Sequence, residues 1–139
     1  MAIALETVAS ATAGASSSIE ISKPAGVANG DVLVASLYCV TGQINSVPTG
    51  WELVGESSNI ENHVYLYYKV ISNAGAEPAS YTWGLDQIGA ISGGIARFSG
   101  VNTTTPEDVA EADNSGSGLT PTGSSITTVT AGAMLASGV

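Results

Sequence analysis

Apolar and polar residues alternate along His63-Val64-Tyr65-Leu66-Tyr67-Tyr68-Lys69-Val70-Ile71 with the period of two that marks a strand, and no helical pattern competes. Successive side chains of a strand point to opposite sides, so Val64, Leu66, Tyr68 and Val70 share one face and His63, Tyr65, Tyr67 and Lys69 the other. The first face is greasy and the second amphipathic, which predicts a sheet packed on a core by one side only. That pattern places the chain in the all-β class, as an antiparallel β-sandwich of jelly-roll-like type.

The same reading extends in both directions. Ile3 to Val8 predicts a short opening strand, and the Ser/Ala/Gly tract over 10–18 reads as a flexible loop or arm. Ser18-Ile19-Glu20-Ile21-Ser22 alternates again and stops at Lys23-Pro24, since proline cannot donate to a ladder. Asn29-Gly30-Asp31 predicts a tight turn into Val32–Val40, apolar on both faces as a central strand is. A loop over 41–50 leads to a strand at 51–54 with Trp51 as a core anchor, and the polar run 56–62 connects it as a hairpin to the strand at 63–71. Further strands are expected at 80–83, at 88–98 despite Gly89, Gly93 and Gly94, and at 125–130 and 133–137. Residues 103–118 read as an acidic flexible loop. A faint echo links Ser18-Ile19-Glu20-Ile21 and 30–36 with Ser125-Ile126-Thr127-Thr128 and 132–137, the pattern expected of two strand pairs facing one another or of chance likeness between short β segments.

Composition narrows the class. A chain of 139 residues suits one domain, 1–139, with a core that needs neither disulfide nor metal. Hydrophobic residues make up 44% but charged ones only 11%, against about a quarter in an ordinary domain. The surface is therefore covered by Ser, Thr, Asn and Gly, as in extracellular or virion β-proteins. Twelve acidic residues against Lys23, Lys69 and Arg97 give a net charge of -9, a field that repels nucleic acid and anionic lipid. Met1-Ala2-Ile3-Ala4-Leu5-Glu6 lacks the basic region and apolar core of a signal peptide, and no run is long enough to span a membrane. A location outside the cell would then follow from lysis, carriage on a particle, or processing of a longer precursor. Cys39 is the single cysteine and lies in an apolar run, so it is expected to pack as a small hydrophobe.

The order Pro24-Ala25-Gly26-Val27, Gly30-Asp31-Val32-Leu33-Val34, Pro48-Thr49-Gly50-Trp51, Tyr67-Tyr68-Lys69-Val70, Glu77-Pro78, Tyr81-Thr82-Trp83 and Phe98-Ser99-Gly100-Val101 resembles the β-sandwich module of phage virion proteins and bacterial surface or secreted proteins. The likeness covers roughly residues 18–102. It implies a jelly-roll-like sandwich with a structural, adhesive or binding role and brings no catalytic motif. The module ordinarily runs on into further strands after a segment like Met134-Leu135-Ala136, where this chain departs from it: either the fold is abbreviated or another chain completes its last edge.

Candidate chemistry is thin. One histidine, His63, has no evident partners for nucleophilic catalysis, and one His with one Cys makes no zinc site. Glu107, Asp108, Glu111 and Asp113 are dense, but a Gly/Ser-flanked loop does not fix two carboxylates across a cleft as glycoside hydrolysis requires. Asp108, Glu111 and Asp113 suit calcium better, although Asp113-Asn114-Ser115-Gly116 lacks the spacing of an EF-hand loop. Tyr65, Tyr67 and Lys69 on the amphipathic face are the candidate surface for a ligand, a glycan or another subunit. The expectation is a non-enzymatic virion protein without a required cofactor: a capsid decoration protein on the outer surface, homo-oligomeric, contacting the major capsid protein or other virion subunits. The alternative is a carbohydrate-binding or adhesin module of a tail fibre or cell surface that uses Tyr65, Tyr67 and the loops at 41–50 and 107–118. An enzyme, a glycosidase acting through Glu107 and Asp108, ranks third.

Overall fold

A computed structural model describes residues 2–110, 112 and 124–136. Among the described residues six strands form one antiparallel sheet: β1 (Ala4–Ser22), β2 (Val32–Val40), β3 (Ile44–Ser46), β4 (Glu52–Ser58), β5 (Asn62–Val70) and β6 (Ser80–Ser99). The order is β1-β6-β2-β5-β4, with β3 paired to β6. The all-β, antiparallel, sandwich-like architecture is the one that the alternation predicts.

The two layers are halves of one folded sheet. β6 keeps β1 beside it from Ser80↔Ser22 to Ser99↔Ala4. On its other side β6 pairs first with β3, through Gly84 and Leu85, and then with β2, from Ala90 to Phe98. The change of partner falls at the corner, where the β1–β6 register slips on either side of the Ser16↔Gly89 pair. Extra residues in one strand bend it and raise its twist. Ser16 supports the bend locally: its hydroxyl donates to the Ser18 carbonyl at 2.8 Å and accepts from the Ser18 amide at 3.2 Å. Thr41 and Gly42, both in the left-handed region with φ of 58° and 93°, turn the chain off β2 towards β3. The Gln43 amide then donates to Asp86 Oδ1 at 2.7 Å.

Folding the sheet over brings Ile19, Ile21, Tyr81, Trp83 and Leu85 against Leu33, Leu37, Tyr65, Tyr67 and Ile95 in a single core. Trp51, in the approach to β4, meets Tyr81 and Trp83 edge-to-face with ring centroids 5.2 and 5.1 Å away, and Tyr67 lies 6.3 Å from Trp83. Such pairs add about 0.5–1.5 kcal/mol each beyond the area they bury. The indole N–H groups of Trp51 and Trp83 are buried with no hydrogen-bond acceptor among the described residues. At one end of the sandwich Arg97 Nε lies 2.6 Å from Asp31 Oδ2, which also accepts the Ala28 amide at 2.7 Å. The pair fastens the 24–31 connection to β6.

Several expectations need correction. Residues 10–18 are not a loop or arm: they lie inside the continuous 19-residue strand β1, because β6 pairs with them from Ser10 to Ala13 and again at Ser16 and Ser18. The strands expected at 80–83 and 88–98 are one strand, and 44–46, expected as loop, forms β3. β4 runs on to Ser58, so the hairpin into β5 is tighter than the polar run 56–62 suggests. Residues 124–136 form no strand, and the echo with 18–36 is therefore not repeated structure there; residue 137 lies outside the described residues. Of the acidic loop 103–118, residues 111 and 113–118 lie outside them too.

The corner leaves no room for a side chain, since a Cβ at Gly89 would collide with the carbonyl oxygens of Val40 and Thr41. Gly89→Ala is expected to destabilise the protein by about 1–3 kcal/mol, read as a lower urea midpoint.

Candidate functional site

The organising strand β5 packs the opposite way from the expectation. Its amphipathic face points inward: Tyr65 and Tyr67 are each only 4% exposed and His63 8%. The rings run as a ladder along one side of the strand, His63 on Tyr65 and Tyr65 on Tyr67, each at 6.2 Å. Large rings bury more area than Val or Leu, and only this face meets Trp51 and Trp83. The Tyr65 hydroxyl still finds a partner, accepting the Ile44 amide at 3.4 Å. Tyr65 and Tyr67 are thus core residues and not a surface for a ligand.

Lys69 ends the same face where the sandwich opens. Its Nζ lies 2.8 Å from Glu77 Oε2, donates to the Thr49 carbonyl at 2.9 Å and stands 5.3 Å over the Tyr81 ring. The Tyr81 hydroxyl donates to the same Glu77 oxygen at 2.8 Å. Burial, and then the Glu77 carboxylate, push the Tyr81 phenol well above its ordinary range. Lys23 Nζ donates to the Glu77 carbonyl at 3.2 Å. With Arg97 on Asp31, all three cationic side chains hold loops and strand ends together, which leaves the free surface charge acidic.

The remaining candidates separate. Cys39 lies on the inner face directly across from His63 in the β2–β5 register. Burial raises its thiol to about 11, so it stays protonated at neutral pH and is a poor nucleophile. Asp108 Oδ2 accepts the amides of Val129 at 2.7 Å and Thr130 at 3.2 Å. Hydrogen bonds from the Thr130 side chain and these amides hold its carboxyl below the usual range. Asp108 thereby ties the chain after β6 to the later segment 124–136. Glu111 and Asp113 lie outside the described residues. Among the described residues no three His, Cys, Asp or Glu side chains converge as a metal site.

What the reading of the sequence missed is the face that β5 turns outward. Cross-strand rows run over four or five strands: Leu5-Phe98-Val32-Val70, then Val8-Ala96-Val34-Tyr68-Glu52, then Ser10-Gly94-Ser36-Leu66-Gly55, then Thr12-Ser92-Tyr38-Val64-Ser57. Apart from Glu52 at the rim, these rows carry no charge. Val34, Leu66, Ala96 and Phe98 are half-buried, Val8 is 68% exposed, and Ala136 from the later segment reaches the shallow groove that they line. Two phenols stand at the rim, Tyr38 donating to Asn62 Oδ1 at 2.6 Å and Tyr68 to Glu52 Oε2 at 2.7 Å. The hydrogen bond to Glu52 pushes the Tyr68 phenol up to about 12.

No family model, curated protein or solved structure matches this chain. Its functional reading rests on this outer face and on the acidic, weakly charged surface around it. The signal for the face was present in the alternation, since Val64, Leu66 and Val70 were legible as greasy; what decides their direction is the ring cluster on the other side.

Burial raises the Tyr67 phenol from 10.0 to about 12. The fold therefore favours the neutral form, and the stabilisation that this phenol contributes is fully present below its ordinary pKa. It falls as the unfolded chain ionises above that and stops falling once Tyr67 ionises in the folded state near 12. Tyr67→Phe is expected to flatten this alkaline loss by roughly 2 kcal/mol, measured by urea unfolding across the alkaline range.

Proposed function

We propose that this chain is a non-enzymatic structural protein of a phage virion, most concretely a capsid decoration protein that stabilises the outer shell through subunit contacts. The observation that carries the reading is the outer face of the sheet: a broad, uncharged, partly apolar surface on an otherwise acidic body. Such patches mark contact with other proteins more than with nucleic acid or small molecules. The resemblance of the motifs over 18–102 to the virion module supports the same class. In this reading the occupant of the face is the major capsid protein or a neighbouring virion subunit, and many weak contacts repeated over a lattice add up to firm attachment.

The glycan-binding alternative survives on different residues from those first expected. Tyr38, 37% exposed, and Tyr68 present rings with hydrogen-bonded tips on the outer face, whereas Tyr65 and Tyr67 are enclosed.

The test is co-sedimentation of the protein with expanded capsid shells of a tailed phage whose genome carries this sequence. Binding is expected, together with a higher melting temperature of the shells. Leu66→Lys, which sets a charge in the middle of the face, is expected to weaken binding at least about tenfold with the protein's own melting temperature kept. Failure to bind shells, or binding unchanged by Leu66→Lys, overturns the reading; glycan binding lost on Tyr68→Ala would put the alternative in its place.

A further inference from the structure

The two ends of the main layer are built differently. β4, at one end, is seven residues long, carries Glu52 and Glu56, and slips register after Leu53. Charges and bulges of this kind discourage pairing with another chain. β3, the short edge of the second layer, has three residues and is followed by Pro48. β1, at the other end of the order, is 19 residues long and contains no Lys, Arg or Pro. Its only charges are Glu6 and Glu20. Among the described residues β1 is paired on one side alone, so a row of backbone donors and acceptors faces outward along it. An open edge of this length is a template for another strand.

We propose that the strand it takes is β1 of a second copy, antiparallel, about a two-fold axis at Ser10. Three observations select this occupant and register. First, Thr7 to Ala13 keeps an unbroken register with β6 between two slips, so this stretch is regular enough to pair. Second, Thr7-Val8-Ala9-Ser10-Ala11-Thr12-Ala13 nearly mirrors itself about Ser10. Ala9 meets Ala11 on the inner face, and Val8 meets the isosteric Thr12 on the outer face, as a closed two-fold interface requires. Val8, 68% exposed, and Ser10, also exposed, gain neighbours there. Third, each copy carries a net charge of -9, and 7–18 is free of charge, so like-charged copies approach there with least repulsion. With the axis at Ser10, Glu6 falls opposite Gly14; with the axis at Ala13 it would oppose Glu20. The pairing does not depend on the capsid reading and holds for a glycan-binding module equally.

Sedimentation velocity of the full chain should show a dimer. Ser10→Lys sets two ammonium groups opposite one another at the axis, and like charges in that position destabilise a strand pair. Dimerisation should weaken at least about tenfold, with near-ultraviolet circular dichroism unchanged and the melting temperature equal to that of the wild-type chain diluted to monomer. Ser10→Cys gives an independent readout that needs no disruption, because facing residues of antiparallel strands have Cα atoms about 4.5–5.5 Å apart, within disulfide range. Mild oxidation should link two copies through position 10, while Cys39, fully buried, stays unreactive. Ser58→Cys on the β4 edge should not cross-link. A wild-type chain that stays monomeric at high concentration, a dimer that survives Ser10→Lys in folded protein, or cross-linking at Ser58→Cys as efficient as at Ser10→Cys would each overturn the proposal.

Discussion

Because β6 keeps β1 as a neighbour along its full length, the sheet closes into two layers only if both strands bend together. The bend falls where Gly89 lets β6 pass under the carbonyl oxygens of Val40 and Thr41, opposite the hydroxyl-supported kink at Ser16. Everything that defines the core follows from it. Trp83 and Tyr81 sit before the bend, while Ile91 and Ile95 come after it, and only the fold-over brings the first pair of rings to Trp51 and Tyr67. The edge-to-face cluster then decides which side of β5 is inside.

The chain uses its few cations for closure. Arg97 on Asp31 and Lys69 on Glu77 are largely enclosed pairs, and each carboxylate accepts a further hydrogen bond. Buried pairs of this kind offset the cost of desolvation only when further hydrogen bonds accompany the ion pair, and in both sites the oxygen that takes the cation accepts a second donor. Their position at strand ends makes them fasteners for loops, with the hydrophobic and aromatic core supplying the bulk of the stability. Outside, an acidic and mostly neutral skin surrounds the outer face of the sheet and the edge of β1 that no described strand pairs. The outer face and the edge of β1 meet at Val8, Ser10 and Thr12, whose side chains belong to the face and whose backbone runs along the edge.

Much of the strand map was legible because strands that border the core alternate strongly. Val32–Val40 and the strand from His63 stand almost where the pattern puts them, and Gly30, with φ of 87°, makes the turn expected before Asp31. The tract 10–18 was misleading because Ala, Ser, Thr and Gly carry little β signal of their own; its strand character comes from the neighbour, not from local preference. The reverse holds for 124–136, where alternation without a described neighbouring strand gives no ladder. Cys39 was read correctly as a core residue because it lies in an apolar run, and Trp51 because so large an apolar ring gains most from burial.

The sequence by itself determined the all-β class, the sign of the surface charge, the main turns and the two faces of β5, since all of these follow from residue type and a period of two. Tertiary structure alone decided which face lies inside, that two predicted strands are one bent strand, and that β1 stands at the end of the sheet with no described strand on its outer edge. These are properties of partners distant in the chain: a face is buried by what packs on it, and an edge exists only where no neighbour pairs. Hence Tyr65 and Tyr67, which alternation offers to solvent, became the interior of the protein, and Leu66, which alternation offers to the core, became part of its outer face.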